Sequence, residues 1–285
     1  MRFDLSPRTH PQNSPGAQTS VVEESSGRKV GEDTRRILQF TDLHLCAEPD
    51  RQLFGQYTRD SFEAVLTHAQ ATHWPPDAIL FTGDLVHDER AEAYQDLKQC
   101  IDNLGCPCFC IPGNHDRPDL LASEVEPGAD RDFRVKQLGR WDLLLLDSTV
   151  RGCEAGHLRP QTLTALEQYL THAPESAHQR PALVALHHQP IPVGSRWLDT
   201  MQVANGADLI ALAERHSQLK AMIWGHIHQA FDRQLPTTRL LAAPSTCSQF
   251  KPGSDDFAQD TRPPGYRWLD LEPDGSFRTG IERLA

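Results

Sequence analysis

A chain of 285 residues with a formal net charge of −11 is long enough to bury one sizeable core. It is too acidic for a protein built to grip a nucleic-acid backbone, which calls for clustered Lys and Arg. No apolar run approaches the roughly 18 to 20 residues that span a bilayer, and the opening MRFDLSPRTHPQNSPGAQTS lacks the charged-then-apolar form of a secretory signal. A cytoplasmic protein that binds neither membrane nor nucleic acid is expected, with its oligomeric state left open. The seven cysteines are an odd set without framework spacing, which argues against a disulfide-stapled secreted domain.

In chain order, residues 1–34 are rich in Pro, Ser, Gln and Gly without apolar periodicity. They read as a disordered polar extension, and a single folded domain is expected over 35–285. Apolar strand-like runs then recur: RILQF (36–40), AILF (78–81), CFCI (108–111), WDLLLLD (141–147), ALVAL (182–186), AMIW (221–224) and RLLAA (239–243). Helical-period segments lie between several of them, at 58–72, 90–103, 161–172 and 205–216. This alternation predicts an α/β core with crossover connections. The tail, 266–284, reads as two strands about the turn Pro273-Asp274-Gly275. Within CPCFC, Cys106, Cys108 and Cys110 alternate and share one face of a strand. One flat face cannot complete a tetrahedral metal site, so they read as small buried hydrophobes.

The residues just past each run carry the chemistry. RILQF leads into Asp42-Leu43-His44, AILF into Thr82-Gly83-Asp84, and CFCI into Pro112-Gly113-Asn114-His115-Asp116. ALVAL leads into His187-His188, and AMIW into Gly225-His226-Ile227-His228. Each item alone has an ordinary reading as a cap, a turn or a satisfied core histidine. Five at the same end of successive strands, where open α/β sheets bind ligands, point to a site. Carboxylate, imidazole and amide oxygen together suit Mn, Fe, Co or Zn. The set exceeds the needs of one ion and suits two, about 3.5–4 Å apart, sharing a carboxylate. Asp84, central in the order of motifs, is the natural bridge.

D-x-H, G-D, G-N-H-D, H-H and G-H-x-H, in this order over residues 36–250, resemble the calcineurin-like metallophosphoesterase superfamily. The resemblance implies a four-layer αββα sandwich with a dimetal site at the C-terminal ends of its strands. It implies that Asp42, His44, Asp84 and His228 hold one metal, and Asp84, Asn114, His187 and His226 the other. His187 is taken over His188 because the family uses the first histidine of such a pair. Iron and manganese are the implied ions, with Zn, Co or Mg as alternatives.

A narrower resemblance lies mostly outside these motifs, in HHQPIPVGSRWLD (187–199), IWGHIHQ (223–229), LLAAPSTCSQFKP (240–252) and PGYRWLDLEPDG (264–275). These stretches are similar to the bacterial 3′,5′-cyclic AMP phosphodiesterases of the superfamily. Gln189 and the polar N-terminal extension depart from the pattern. The implied partner is a small cyclic nucleotide, and the implied reaction is hydrolysis of cyclic AMP to 5′-AMP by a hydroxide bridging the metals. His115 would serve the leaving 3′-oxygen as acid, with Asp116 orienting its imidazole. The alternatives are other phosphodiesters, such as 2′,3′-cyclic nucleotides or glycerophosphodiesters, or a non-catalytic scaffold of the same fold. His87, Arg117, Arg196, Trp197 and residues 245–251 lie near the ligand motifs and are candidates for a nucleotide pocket.

Overall fold

A computed structural model of the protein describes residues 33–172 and 180–285. The polar extension expected over 1–34 therefore falls, apart from its last two residues, outside the described chain. The first sheet has five strands, in the order Phe277–Arg283, Gly265–Leu271, Arg35–Phe40, Ala78–Thr82, Cys108–Ile111. The last three run parallel to one another, and the C-terminal hairpin adds antiparallel to Arg35–Phe40. The second sheet has six, in the order Phe231–Gln234, Arg239–Ala242, Leu219–Trp224, Ala182–Ala185, Trp141–Leu146, Phe133–Leu138. Its four central strands are parallel and its two edges antiparallel.

Period-two side-chain alternation along these strands builds three apolar layers. Ile37, Leu80, Leu143, Leu145, Leu183 and Ile223 point between the sheets. Their neighbours Leu38, Phe40, Ile79 and Phe81 point the other way, onto Phe62, Val65 and Ala69 of helix Thr58–Thr72 and Leu97 of helix Ala91–Asp102. Leu144, Val184 and Met222 likewise meet Leu166 of helix Pro160–His172 and Leu209 and Leu212 of helix Gly206–Arg215. Helix, sheet, sheet, helix is the result, because the central strands are apolar on both faces and each helix on one stripe. Gln39 sits in the middle layer, fully buried. Its Nε2 donates to Thr82 Oγ1 at 3.0 Å and, across the sandwich, to the Trp224 carbonyl at 2.9 Å.

All four helical segments and the C-terminal hairpin fall where the periodicity places them. Two strands of the large sheets do not announce themselves: Phe133–Leu138 and Phe231–Gln234 are the edges of the second sheet. An edge strand packs on fewer neighbours and carries charge against misassociation, so FRVKQL and FDRQ show no apolar run. The cysteine run behaves as hydrophobes. Cys110 is buried, Cys106 and Cys108 are half-buried against the same core, and all seven thiols are free. No helix among the described residues is long and apolar enough to cross a membrane.

Candidate metal centre

The parallel strands of both sheets deliver their C-terminal ends to one place, and the backbone there leaves the strand sharply. Asp42, His44, Asp84, His226 and His228 all have positive φ, between 48° and 63°. L-residues pay about 1–2 kcal/mol for this region, and five such residues persist only where the surroundings over-determine them. The exit loops are laced together: Asp42 N–H donates to the Gly83 carbonyl and His44 N–H to the Asp84 carbonyl, both at 2.9 Å. Glycine is required beside them because the side chains crowd in. A Cβ on Gly83 would strike the His187 ring, one on Gly113 the Asp84 carboxylate, and one on Gly225 the Thr41 hydroxyl.

All seven residues expected as ligands converge. His228 Nε2 lies 3.4 Å from Asp42 Oδ1 and 3.2 Å from His44 Nε2. Asp84 Oδ2 stands between two imidazoles, 3.8 Å from His44 Nε2 and 3.4 Å from His187 Nε2. His187 Nε2 is also 3.2 Å from Asn114 Oδ1. The backbone N–H of His226 reaches both oxygens of Asp42 at 3.1 Å. Among the described residues four overlapping clusters result: Asp42 with His44 and His228, Asp42 with Asp84 and His187, His187 with His188 and His226, and His44 with His87 and His115.

The rings are pre-aimed. His187 Nδ1 pairs with the Thr82 carbonyl at 2.8 Å and His228 Nδ1 with the Ser248 carbonyl at 2.7 Å. Each Nδ1–H is thereby committed as donor, and each Nε2 is left facing the carboxylates. His188 differs from its neighbour. Its Nδ1 pairs with Ser148 Oγ at 2.8 Å and its Nε2 with the Glu154 carbonyl at 3.1 Å, so both ring nitrogens are engaged away from Asp84.

This donor set fits two cations. Burial pushes the imidazolium pKa of His44 and of His226 down to about 3, leaving neutral rings with free lone pairs. His226 Nε2 is buried without a hydrogen-bond partner. Burial opposes ionisation of Asp42 and Asp84, yet His228 and His187 respectively outweigh it and both stay anionic. Burial disfavours charge on His187 too, but Asp84 raises it to about 9. Two buried carboxylates among imidazoles attract positive charge strongly, and protons and metal ions compete for the same nitrogens.

A cleft of about 230 Å³ opens over the cluster, with His44, Asp84, Asn114, His115, His226 and His228 among its lining. The His115 ring lies 5.1 Å from that of His44 and 4.8 Å from that of His87, and its backbone N–H donates to Asp84 Oδ1 at 2.9 Å. Asp116 does not take up the pairing with His115 expected of it. Its carboxylate accepts from the amides of Leu85, Val86 and Gly113 at 2.8–3.2 Å and from Tyr94 Oη at 3.0 Å. It ties one strand-exit loop to the next instead.

Of the pocket candidates, His87 and Trp197 line the cleft. Arg117 pairs with Asp119 at 2.6 Å, and Arg196 lies 3.7 Å from Asp255 on the surface; neither lines it. Within 245–251, Ser245 Oγ donates to the Asp42 carbonyl at 2.8 Å, and Phe250 reaches the cleft. The departing residue Gln189 is buried and donates to the Leu198 carbonyl at 2.7 Å. Sequence reasoning missed Phe54, Met201 and Phe257, which also line the cleft. They come from loops without ligand chemistry, and only the turn-like Phe54-Gly55 marks one of them.

A two-sheet sandwich with a carboxylate–imidazole cluster at its strand ends is the build of a metallophosphoesterase. The chain belongs to the calcineurin-like phosphoesterase family, whose pattern matches residues 35–230. It is 40% identical over 248 residues to the 3′,5′-cyclic adenosine monophosphate phosphodiesterase CpdA of Pseudomonas aeruginosa, covering 87% of this chain and 89% of that protein. The identity to CpdA of Escherichia coli K12 is 40% over 257 residues, 90% of this chain and 92% of the relative. In fold, the chain is similar to a dimetal phosphatase from Danio rerio, with a TM-score of 0.60 and 14% identity over 83% of this chain and 95% of that one.

Proposed function

We propose that this protein hydrolyses 3′,5′-cyclic AMP to 5′-AMP. The observation that carries the reading is the 40% identity to CpdA phosphodiesterases across about nine-tenths of both chains. Asp42, His44, Asp84 and His228 would hold one cation, and Asp84, Asn114, His187 and His226 the other. A donor set of oxygen and imidazole without thiolate suits iron and manganese, with zinc, cobalt or magnesium as substitutes. When bound, the pair supplies an activated water near neutral pH and positive charge for the phosphoryl oxygens.

The chain's own groups do the rest. Thr82 and Ser248, through their carbonyls, hold the His187 and His228 rings in the orientation that keeps Nε2 on the site. Asn114 shares His187's side of the cluster and orients the phosphate on it. His115, on the rim with its backbone anchored to Asp84, delivers a proton to the departing 3′-oxygen. Seven free thiols suit a reducing compartment, and the cytoplasm is the location this reading takes.

The deciding assay compares 3′,5′-cyclic AMP, 2′,3′-cyclic AMP and bis(p-nitrophenyl) phosphate on the Mn²⁺-loaded protein, with Asn114→Ala as the inactive control. Release of 5′-AMP from the 3′,5′ ring, lost in N114A, is the expected result. Turnover of the other two esters alone would make this a phosphodiesterase of different substrate.

A further inference from the structure

Four aromatic rings stand together along the cleft wall beside His228. Phe250 stacks on the His228 ring with 4.0 Å between centroids and 8° between planes. From Phe250 the cluster continues to Trp197 at 5.1 Å, Phe257 at 5.4 Å and Phe54 at 6.2 Å. Phe54 and Phe257 lie 5.3 Å apart. Phe250 is buried, but Phe54 is 46% and Phe257 50% exposed. Core packing does not account for two phenyl rings half in water, side by side, at the mouth of a polar site.

Phe54 is also held where phenylalanine is uncomfortable. It is the first turn residue of the hairpin Gln52–Leu53/Gln56–Tyr57, with φ of 51°, and Gly55 comes next at 79°. Turns with two positive φ values favour Asn-Gly or Asp-Gly, and a bulky residue there is an outlier. The tip has one backbone contact to the cleft wall. Gln259 Nε2 donates to the Phe54 carbonyl at 3.4 Å, and the strand Gln259–Asp260 pairs with Gln249–Phe250. Strain, exposure and anchoring coincide on one side chain at the rim.

We propose that Phe54 and Phe257 form the platform on which the substrate's nucleobase stacks, so that the cleft prefers nucleotides to base-free phosphate esters. Carboxylates, imidazoles and cations read only phosphate. A nucleobase is planar and largely uncharged, and an aromatic face is what recognises it without regard to edge pattern. The path from His228 through Phe250 to Phe257 leads from the phosphate side of the cleft to its apolar rim. A ribose separates phosphate from base in the same sense. The inference rests on the cyclic-nucleotide reading for its substrate, but its test does not need turnover.

Titration calorimetry of the Mn²⁺-loaded protein with AMP and with ribose 5-phosphate separates base from phosphate. The wild type is expected to bind AMP at least about tenfold more tightly, since each stacked base contributes roughly 5- to 150-fold. In Phe54→Asn, which keeps a residue at ease with positive φ, and in Phe257→Ala, AMP affinity falls about tenfold and ribose 5-phosphate affinity stays within about twofold. Equal losses for both ligands, no loss for either, or a wild type indifferent to the base would each overturn the platform. A base-dependent result in a protein that leaves cyclic AMP intact would uphold the platform and sink the cyclic AMP assignment. Cyclic AMP turnover with base-independent binding would do the reverse.

Discussion

His115 and Asp116 are adjacent in the chain, and the fold turns one to the cleft and the other into the loops behind it. The His115 ring faces the cleft while its backbone N–H holds Asp84, so truncating the side chain leaves that anchor intact. His115→Ala is expected to lower kcat on cyclic AMP by about 10²–10³-fold, the usual worth of a general acid. Turnover of bis(p-nitrophenyl) phosphate, whose leaving group needs no proton, should fall less than about tenfold. Equal losses would remove His115 from the acid role. Asp116 is a positioning residue, with three backbone amides and the Tyr94 hydroxyl on its carboxylate. Asp116→Ala orphans these donors at about 1–3 kcal/mol each. Urea unfolding should show at least about 3 kcal/mol lost, with activity reduced by the same factor on both esters. A leaving-group-dependent loss in this variant would restore the orienting role. The dipeptide His-Asp suggests a dyad in one dimension; only the direction of each side chain separates the ring on the cleft from the carboxylate that braces the loops.

Three strands of the parallel core, Arg35–Phe40, Ala78–Thr82 and Leu219–Trp224, end in a left-handed kink that turns a polar side chain out of the sheet. The strand itself, apolar on both faces, makes the kink rigid. That device was half legible. The runs and the ligands after them are visible in the sequence, but the positive φ of Asp42, His44, Asp84, His226 and His228 is not, because none is glycine. Outside the site, helix Thr58–Thr72 ends on His73, whose ring lies on Trp268 at 5.3 Å and whose Nδ1 pairs with Tyr266 Oη at 2.8 Å. Burial, helped by the Arg36 guanidinium, lowers the His73 pKa to about 4. The unfolded chain, with an ordinary histidine, binds more protons between about pH 6.5 and 4. The contribution of His73 is therefore whole above about pH 6.5 and is lost as pH falls toward 4. In His73→Phe, stability should decline less than in the wild type between pH 7 and pH 5 in paired urea titrations; parallel declines would discount the residue.

Across the whole protein, the site is a seam between two sheets. Asp42, Asp84 and Asn114 come from the first sheet, His187, His226 and His228 from the second, with Gln39 bridging just beneath. Cations held across that seam would bind the folded state in preference to the unfolded chain and so would act as a clasp on the sandwich. Removing metal with a chelator should lower the melting temperature. Mn²⁺ at about a hundred times its Kd should restore about 2.7 kcal/mol by mass action. The same treatment of an Asp84→Asn variant should produce a smaller shift. A melting temperature indifferent to chelation would mean that the seam is held by protein contacts alone.

The alternating α/β core, the four packed helical segments, the C-terminal hairpin and the chemical nature of the site could all be read from the chain alone. They rest on periodicity and on short motifs whose meaning is local. Everything that depends on direction waited for the folded molecule: where the His188 ring turns, that Asp116 braces loops, and that Phe54 and Phe257 meet at the cleft although 203 positions separate them in the chain. Edge strands joined this second group, since a strand packed on one side need not be apolar. Side-chain orientation and long-range contact arise when two sheets close on each other, and no local pattern encodes where that closure brings their loops.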